Sequence, residues 1–460
     1  MPRCRGRASA GGAGHGAAGG SAAMTQGFGL SATARLALLQ RLSKRREEKG
    51  PAPGAARAFR ELPGQRDMEL IREAAGALGL ENPFFRPHEG IAAATTVIGN
   101  REVINYGSYN YLGLNGDPRV MRAAQAAIDR HGVSASASRM VSGERPVHAA
   151  LEEAIATHYG VDAALAFVSG HATNVTVLGH LMGPRDLILH DAAIHNSCAE
   201  GARLSGAKRI AFAHNDWRAA ERELAANRRG ARRALIVVEG HYSMDGDIPD
   251  LPRFIEMARR HDAWLMVDEA HGMGVVGATG HGIHEHWNVD AREVDIWMGT
   301  LSKTLSGCGG YIAGNADLVA WLKHSAPGFV YSVGMAPALA AAALASLRIL
   351  RDEPDRVARL QANATLFLRL AKQAGLDTGT SAGLAIVPVI VGSSVGAARL
   401  SQALFDRGIN VQPILFPAVP DSSARLRFFL SCEHTEAQIR STIDAVAAAM
   451  AGARPAEIAG

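Results

Sequence analysis

Residues 264–272 read Trp264-Leu265-Met266-Val267-Asp268-Glu269-Ala270-His271-Gly272, an apolar run that ends on a carboxylate with a histidine shortly after. A short apolar run bounded by polar and glycine residues is consistent with a strand buried on both faces. Strands of that kind belong to parallel sheets, and in an open parallel sheet ligands sit beyond the carboxyl ends of the strands. An unpaired carboxylate buried there is costly. Asp268 therefore either meets a cation, such as a protonated ring nitrogen, or caps the following turn. Similar runs occur at Ala164–Val168, Leu187–Leu189, Ala234–Val238 and Ile296–Met298, and between them lie amphipathic stretches such as Pro146–Tyr159 and Pro252–His261. Strands alternating with helices predict an α/β layer fold with a mainly parallel sheet.

Outward from this alternating block the character of the chain changes. Ala336 to about Ala374 is a long Ala/Leu-rich helical stretch. A smaller set follows: a strand at Ala385–Val391, a helix at Ala397–Arg407, a strand at Arg427–Leu430 and a final helix from Thr435. The expected organisation is a large domain over 97–345 and a smaller C-terminal α+β domain over 346–452. Residues 30–96 are expected to form an N-terminal helical arm, with Leu30–Lys49 as one helix. Residues 1–29 read as a low-complexity tail. No acidic residue occurs before Glu47, which is compatible with a transit peptide, but glycine-rich runs make poor amphipathic targeting helices. A tail, or initiation at Met24, is the expectation.

Composition narrows the function classes. The 460 residues are 47% hydrophobic and 20% charged, with a formal net charge of +4. That balance suits small anionic ligands, and no long basic stripe argues for nucleic acid. Cys4, Cys198, Cys308 and Cys432 are scattered and make no CxxC pair, so neither a disulfide framework nor a zinc site is expected, and a cytoplasmic location is. No apolar run is long enough for a membrane span.

Four more strand ends carry polar residues. Asp295 to Gly310 includes Thr300-Leu301-Ser302-Lys303-Thr304, a lysine in a small-residue loop that can form a Schiff base with a carbonyl cofactor. Ser169-Gly170-His171-Ala172-Thr173-Asn174 is a turn opening a helix, which presents free N–H groups to an anion. His195 follows Leu189-His190-Asp191 and offers an imidazole that could stack on a flat ring, and Glu239 to Asp247 forms a polar turn containing Ser243. Gly272-Met273-Gly274-Val275-Val276-Gly277 fits a dinucleotide fingerprint, but loop residues follow it rather than a helix. His271, His281, His284 and His286 lack a matching ligand pair and read as loop histidines rather than metal ligands.

In this order, the clusters resemble the α-oxoamine synthase family of fold-type I pyridoxal 5'-phosphate (PLP) enzymes. The match runs from about Asn82 to Met450 and adds Tyr109-Asn110-Tyr111-Leu112-Gly113, Ser138-Arg139-Met140-Val141-Ser142-Gly143 and Ala424-Arg425-Leu426-Arg427. The resemblance implies that Lys303 holds the cofactor and then serves as base, and that Asp268 keeps the pyridine nitrogen protonated. It implies that His271 meets the ring hydroxyl, His195 stacks on the ring and Ser243 lies near the ring oxygen. Gly170, His171 and Thr300 would bind the phosphate, while Asn110 and Arg427 would face the substrate. The reaction implied is a decarboxylating condensation of a small amino acid with an acyl thioester, carried by coenzyme A or by an acyl carrier protein, in a homodimer. Ser138 stands where glycine-specific relatives tend to carry threonine, which favours alanine or serine over glycine. Asn82–Gly90 and Ser142–Pro146 resemble versions tied to polyketide or lipid assembly lines. An aminotransferase on the same fold would use the same lysine and aspartate, and a catalytically silent partner subunit is the reading from another class. Val333-Gly334-Met335-Ala336-Pro337 departs from the family pattern near a phosphate contact, with Ser332 close by, and His171 replaces a more usual aromatic or aliphatic residue.

Overall fold

A computed structural model describes residues 64–452, together with Phe59 and Leu62. The tail and the expected Leu30–Lys49 helix lie outside the described residues.

Seven strands form the main sheet: β3 (Ala163–Phe167), β4 (Leu187–Asp191), β5 (Lys208–Phe212), β6 (Ala234–Glu239), β7 (Trp264–Asp268), β8 (Ile296–Thr300) and β9 (Gly310–Gly314). Their order is β3-β9-β8-β7-β6-β4-β5, and only β9 pairs antiparallel to its neighbours. Sequence patterning anticipates β3, β4, β6, β7 and β8. It does not reveal β5, an edge strand that starts on exposed Lys208 and Arg209, or β9, which is short and glycine-bounded.

The strict period of two in a pleated strand divides the core. Ala234, Ile236 and Val238 join one apolar cluster, while Leu235 and Val237 join another on the opposite face. The first face is covered by the helices Pro146–Tyr159, Trp217–Asn227, Leu251–Arg260 and Pro337–Asp352, and the second by Gly170–Leu181, Asn196–Leu204 and Ala316–Ser325. Both faces are covered by apolar side chains, which is why the central strands read as unbroken apolar runs.

The helical stretch from Ala336 is two helices, Pro337–Asp352 and Asp355–Gln373. Pro354 explains the break, since it supplies no amide hydrogen and disfavours helical backbone at Glu353. Beyond them, β10 (Ile386–Ile390), β12 (Pro413–Ile414) and β13 (Arg425–Phe429) make an antiparallel sheet ordered β10-β13-β12. A third sheet joins distant parts of the chain. The hairpin of β1 (Thr95–Ile98) and β2 (Arg101–Asn105) takes β11 (Ile409–Asn410) as a parallel third strand. Residues 272–277 form turns, with Gly274 and Gly277 at φ +75° and +88°, and no helix opens before Ile283. His281 stacks on His158 at 4.4 Å and His284 packs 5.4 Å from Trp297, so these two belong to an aromatic cluster rather than a simple loop.

Candidate active site

The parallel strands deliver their carboxyl ends to one edge of the sheet, and register sets Glu239 beside Asp268 and Asp268 beside Met298. Lys303 lies just beyond β8, in the connection to β9. Burial lowers its amine to about 8, against the opposing pull of Asp268 and Glu239. The amine lies 5.5 Å from the Tyr109 ring centre. Beside it opens a cavity of about 300 Å³ lined by His88, Tyr109, Asn110, Ser302, Lys303 and Ser306, among others.

Asp268 is held from several sides. Asn174 Nδ2 donates to Oδ2 at 2.8 Å, the Cys198 thiol approaches the same oxygen at 3.8 Å, and the Ala270 amide donates to Oδ1 at 2.9 Å. Asn174 Nδ2 also donates to Ser197 Oγ at 3.0 Å, and Ser197 Oγ lies 2.7 Å from His195 Nδ1. The Ser197 amide donates to that same Nδ1, which makes Nδ1 an acceptor and places the ring proton on Nε2. Burial lowers the His195 pKa, in keeping with a neutral ring. The His195 amide donates to Glu239 Oε1 at 2.7 Å. Burial, then the charge of Asp268, pushes Glu239 up to about 8. His271 pairs through Nδ1 with the Tyr111 hydroxyl at 2.7 Å. Its pKa lies well below the ordinary value, from burial first and then from the charges of Lys303 and Arg427.

The helix Gly170–Leu181 begins under Thr300. A Cβ on Gly170 would come within 2.8 Å of Thr300 Oγ1, and one on Gly310 within 2.7 Å of the Gly170 Cα. Two glycines thus let a helix start approach the β8 end. The His171 side chain is exposed there, 6.5 Å from the His195 ring. Arg427, on β13, crosses to this edge: Nη1 donates to the Ser243 carbonyl at 2.9 Å, and the guanidinium lies 4.7 Å from the Phe429 ring centre. Its buried Nε has no protein partner. Asn110 lines the cavity, yet its amide is engaged: Nδ2 donates to Ala92 O, and Oδ1 accepts from the Asn115 amide. Ser138 takes the N-cap position of the π-helical turn Arg139–Gly143, its backbone carbonyl accepting from the Val141, Ser142 and Gly143 amides, and it does not line the cavity beside Lys303.

A family model for aminotransferase class I and II matches residues 101–446. The 8-amino-7-oxononanoate synthase of Geobacter sulfurreducens is 41% identical over 361 residues, 78% of this chain and 91% of that protein. That of Methylobacterium sp. (strain 4-46) is 43% identical over 350 residues, 76% and 86% of the two chains. Among solved structures, Sphingomonas wittichii serine palmitoyltransferase superposes with a TM-score of 0.82 at 31% identity, covering 85% of this chain and 98% of that one. The 8-amino-7-oxononanoate synthase of Francisella tularensis gives 0.65 at 25% identity, covering 75% and 97%. The chain belongs to the aminotransferase class I and II family, in its α-oxoamine synthase branch.

This α-oxoamine synthase is a PLP-dependent enzyme. Its residues fit that cofactor on structural grounds: a largely buried lysine amine with a lowered pKa, a braced carboxylate, a neutral histidine, and a glycine-lined helix start that a Cβ would fill. Sequence reasoning gave no role to Asn174, Cys198, Tyr111 or Glu239, although the motifs contained three of them. No helix among the described residues is long and apolar enough to cross a membrane, and no described His, Cys, Asp and Glu side chains are grouped to hold a metal ion.

Proposed function

We propose that this α-oxoamine synthase condenses a small amino acid, alanine or serine in preference to glycine, with an acyl thioester, releasing carbon dioxide and free thiol and giving an α-amino ketone. The observation that carries the proposal is that Lys303 lines a cavity of about 300 Å³ at the carboxyl edge of the sheet, close enough to Asp268 and Arg427 to feel both charges. When bound, PLP supplies the electron sink that lets bonds at the amino-acid α-carbon break. The residues supply the rest. Lys303 is the attachment point and then the base for the α-proton, since an amine with pKa near 8 has an appreciable neutral fraction at neutral pH. Asp268, braced by Asn174 and the Ala270 amide, would hold the ring nitrogen protonated. His195, as a neutral imidazole, would stack on the ring, while His271 and Ser243 would bind the ring oxygen. The Gly170–His171 amides and Thr300 would hold the phosphate through a helix start. Arg427 pairs with the substrate carboxylate. Asn110 acts by fixing the cavity wall, because its amide is already committed.

A homodimer fits a second observation. Val133, Met140, Val141, Tyr331 and Val333 are exposed, Val141 at 81% and Tyr331 at 87%, on two segments joined by the Gly334 amide donating to Ala137 O at 2.8 Å. An apolar patch of this kind marks an association surface, and Ser138 lies within it. The donor could be acyl-CoA or an acyl carrier protein. The test titrates the visible spectrum of the purified protein with alanine, serine and glycine, then supplies acyl-CoA or acyl carrier protein and follows thiol and carbon dioxide. Saturable band shifts with one amino acid, and thiol and carbon dioxide released together, support the proposal. Reversible conversion of keto acids with no thioester requirement refutes it in favour of transamination.

A further inference from the structure

Glu269 follows Asp268 directly, and the roles assigned to the site leave it unused. Its side chain is 0% exposed. Oε1 accepts from the Ile283 amide at 2.7 Å, and Oε2, also buried, has no partner. Three glycines from separate segments enclose it. A Cβ would lie 2.6 Å from its carboxyl at Gly240, 1.5 Å at Gly272 and 2.7 Å at Gly282. Gly282 has φ +103°, so its backbone alone favours glycine. Gly240 and Gly272 have no such conformation, and space for the carboxyl is the remaining reason for glycine there.

A buried carboxylate needs several donors or a cation. This one has a single amide and a neighbouring carboxylate, Asp268. The other titratable groups close enough to interact with it are the phenols of Tyr159 and Tyr311, which hydrogen-bond to each other at 2.8 Å. No cation stands among these neighbours. Burial, moderated by the Ile283 amide and reinforced by Asp268, raises the Glu269 pKa to about 8.

We propose that Glu269 is a positioning residue held as the neutral acid: it fills the glycine-lined space behind the 268–272 turn, fixing Asp268 and His271 without placing a second negative charge beside Asp268. The proposal rests on the assignment of Asp268 and His271 to the PLP ring. Its shape and its neutrality make separate demands, and substitutions separate them. Glu269→Ala removes the filler, and is expected to weaken PLP binding at least about tenfold and to lower kcat more than it raises KM. Glu269→Gln keeps shape and neutrality, and is expected to restore PLP affinity to within about threefold of the parent, with an unchanged pH–rate profile between about pH 6 and 9. Gly272→Ala is expected to weaken PLP binding, and Gly272→Ala combined with Glu269→Ala to recover part of it, which tests the contact even where Glu269→Ala alone folds poorly. The measurements are PLP dissociation constants from the visible band and steady-state kinetics on the holoenzymes. The proposal is overturned if Glu269→Gln falls as far as Glu269→Ala, if it removes an inflection near pH 8 present in the parent, or if the double variant recovers nothing. Failure of the site assignment looks different: the parent itself would show no PLP band that Lys303→Ala abolishes.

Discussion

Replacing Arg427 separates its two tasks, bracing a loop and holding a substrate. Nη1 is committed to the Ser243 carbonyl at 2.9 Å and touches Met244 Sδ at 3.4 Å, whereas the buried Nε has no protein partner. A carboxylate arriving at the guanidinium gains a charge-assisted hydrogen bond, about 1.5–3 kcal/mol net. Truncating one member of a desolvated charge pair costs about 2–5 kcal/mol. A loss near 3 kcal/mol is roughly a hundredfold, so Arg427→Met is expected to lower kcat/KM for the amino acid about a hundredfold, mostly through KM. Arg427→Lys keeps charge without the planar fork and is expected to lose about tenfold. The assay is steady-state kinetics with saturating thioester and varied amino acid, repeated with the amino-acid amide. The parent should prefer acid over amide, and Arg427→Met should abolish that preference. If Arg427→Met lowers kcat while KM and the preference for the acid stay intact, Arg427 only braces Ser243 and the carboxylate is bound elsewhere.

Lys303→Ala is expected to remove both the visible cofactor band and product formation. In the parent the amine is depressed from 10.5 to about 8. The neutral form that captures PLP therefore grows as pH rises, so the capture rate by cofactor-free protein should climb and level off above about pH 8, as read by stopped-flow absorbance. Gly170→Ala puts a Cβ 2.8 Å from Thr300 Oγ1, and should weaken PLP binding about tenfold or more in an equilibrium titration. His214 bridges Asp191 and Asp247 at 2.8 and 3.1 Å; burial alone would lower its pKa, but these carboxylates carry it up to about 10. A base whose folded pKa is raised stabilises fully below its unfolded value, and the contribution disappears as pH climbs through the folded value. The stability gap between parent and His214→Asn should therefore narrow from pH 6.5 towards 10 in denaturant titrations.

What the sequence disclosed follows from what its chemistry must announce locally. A strand buried on both faces has to be an unbroken apolar run, so β6 and β7 are plain in the sequence. β5 is exposed along most of its length and β9 is built on glycine, so neither carries that mark. The groups proposed to meet the cofactor stand at strand ends and are legible there. Their supports are not, because Asn174 reaches Asp268 across 94 positions and Tyr111 reaches His271 across 160. Contacts of that span leave no periodicity behind. Asn110 shows the converse: its motif points to the substrate, while its amide is spent on Ala92 and Asn115.

The pairing of β2 with β11 also governs the order in which a growing chain can be finished. Asn105 is hydrogen-bonded to Asn410 across 305 positions, so this edge of β2 waits unpaired until residue 410 has left the ribosome. Tyr109 and Asn110, which follow β2 directly, wall the cavity beside Lys303. All seven strands of the main sheet lie before residue 409, whereas the β2–β11 pairing beside this wall does not. Until residues 409 and 410 join it, the strand that leads into this wall therefore lacks its parallel neighbour.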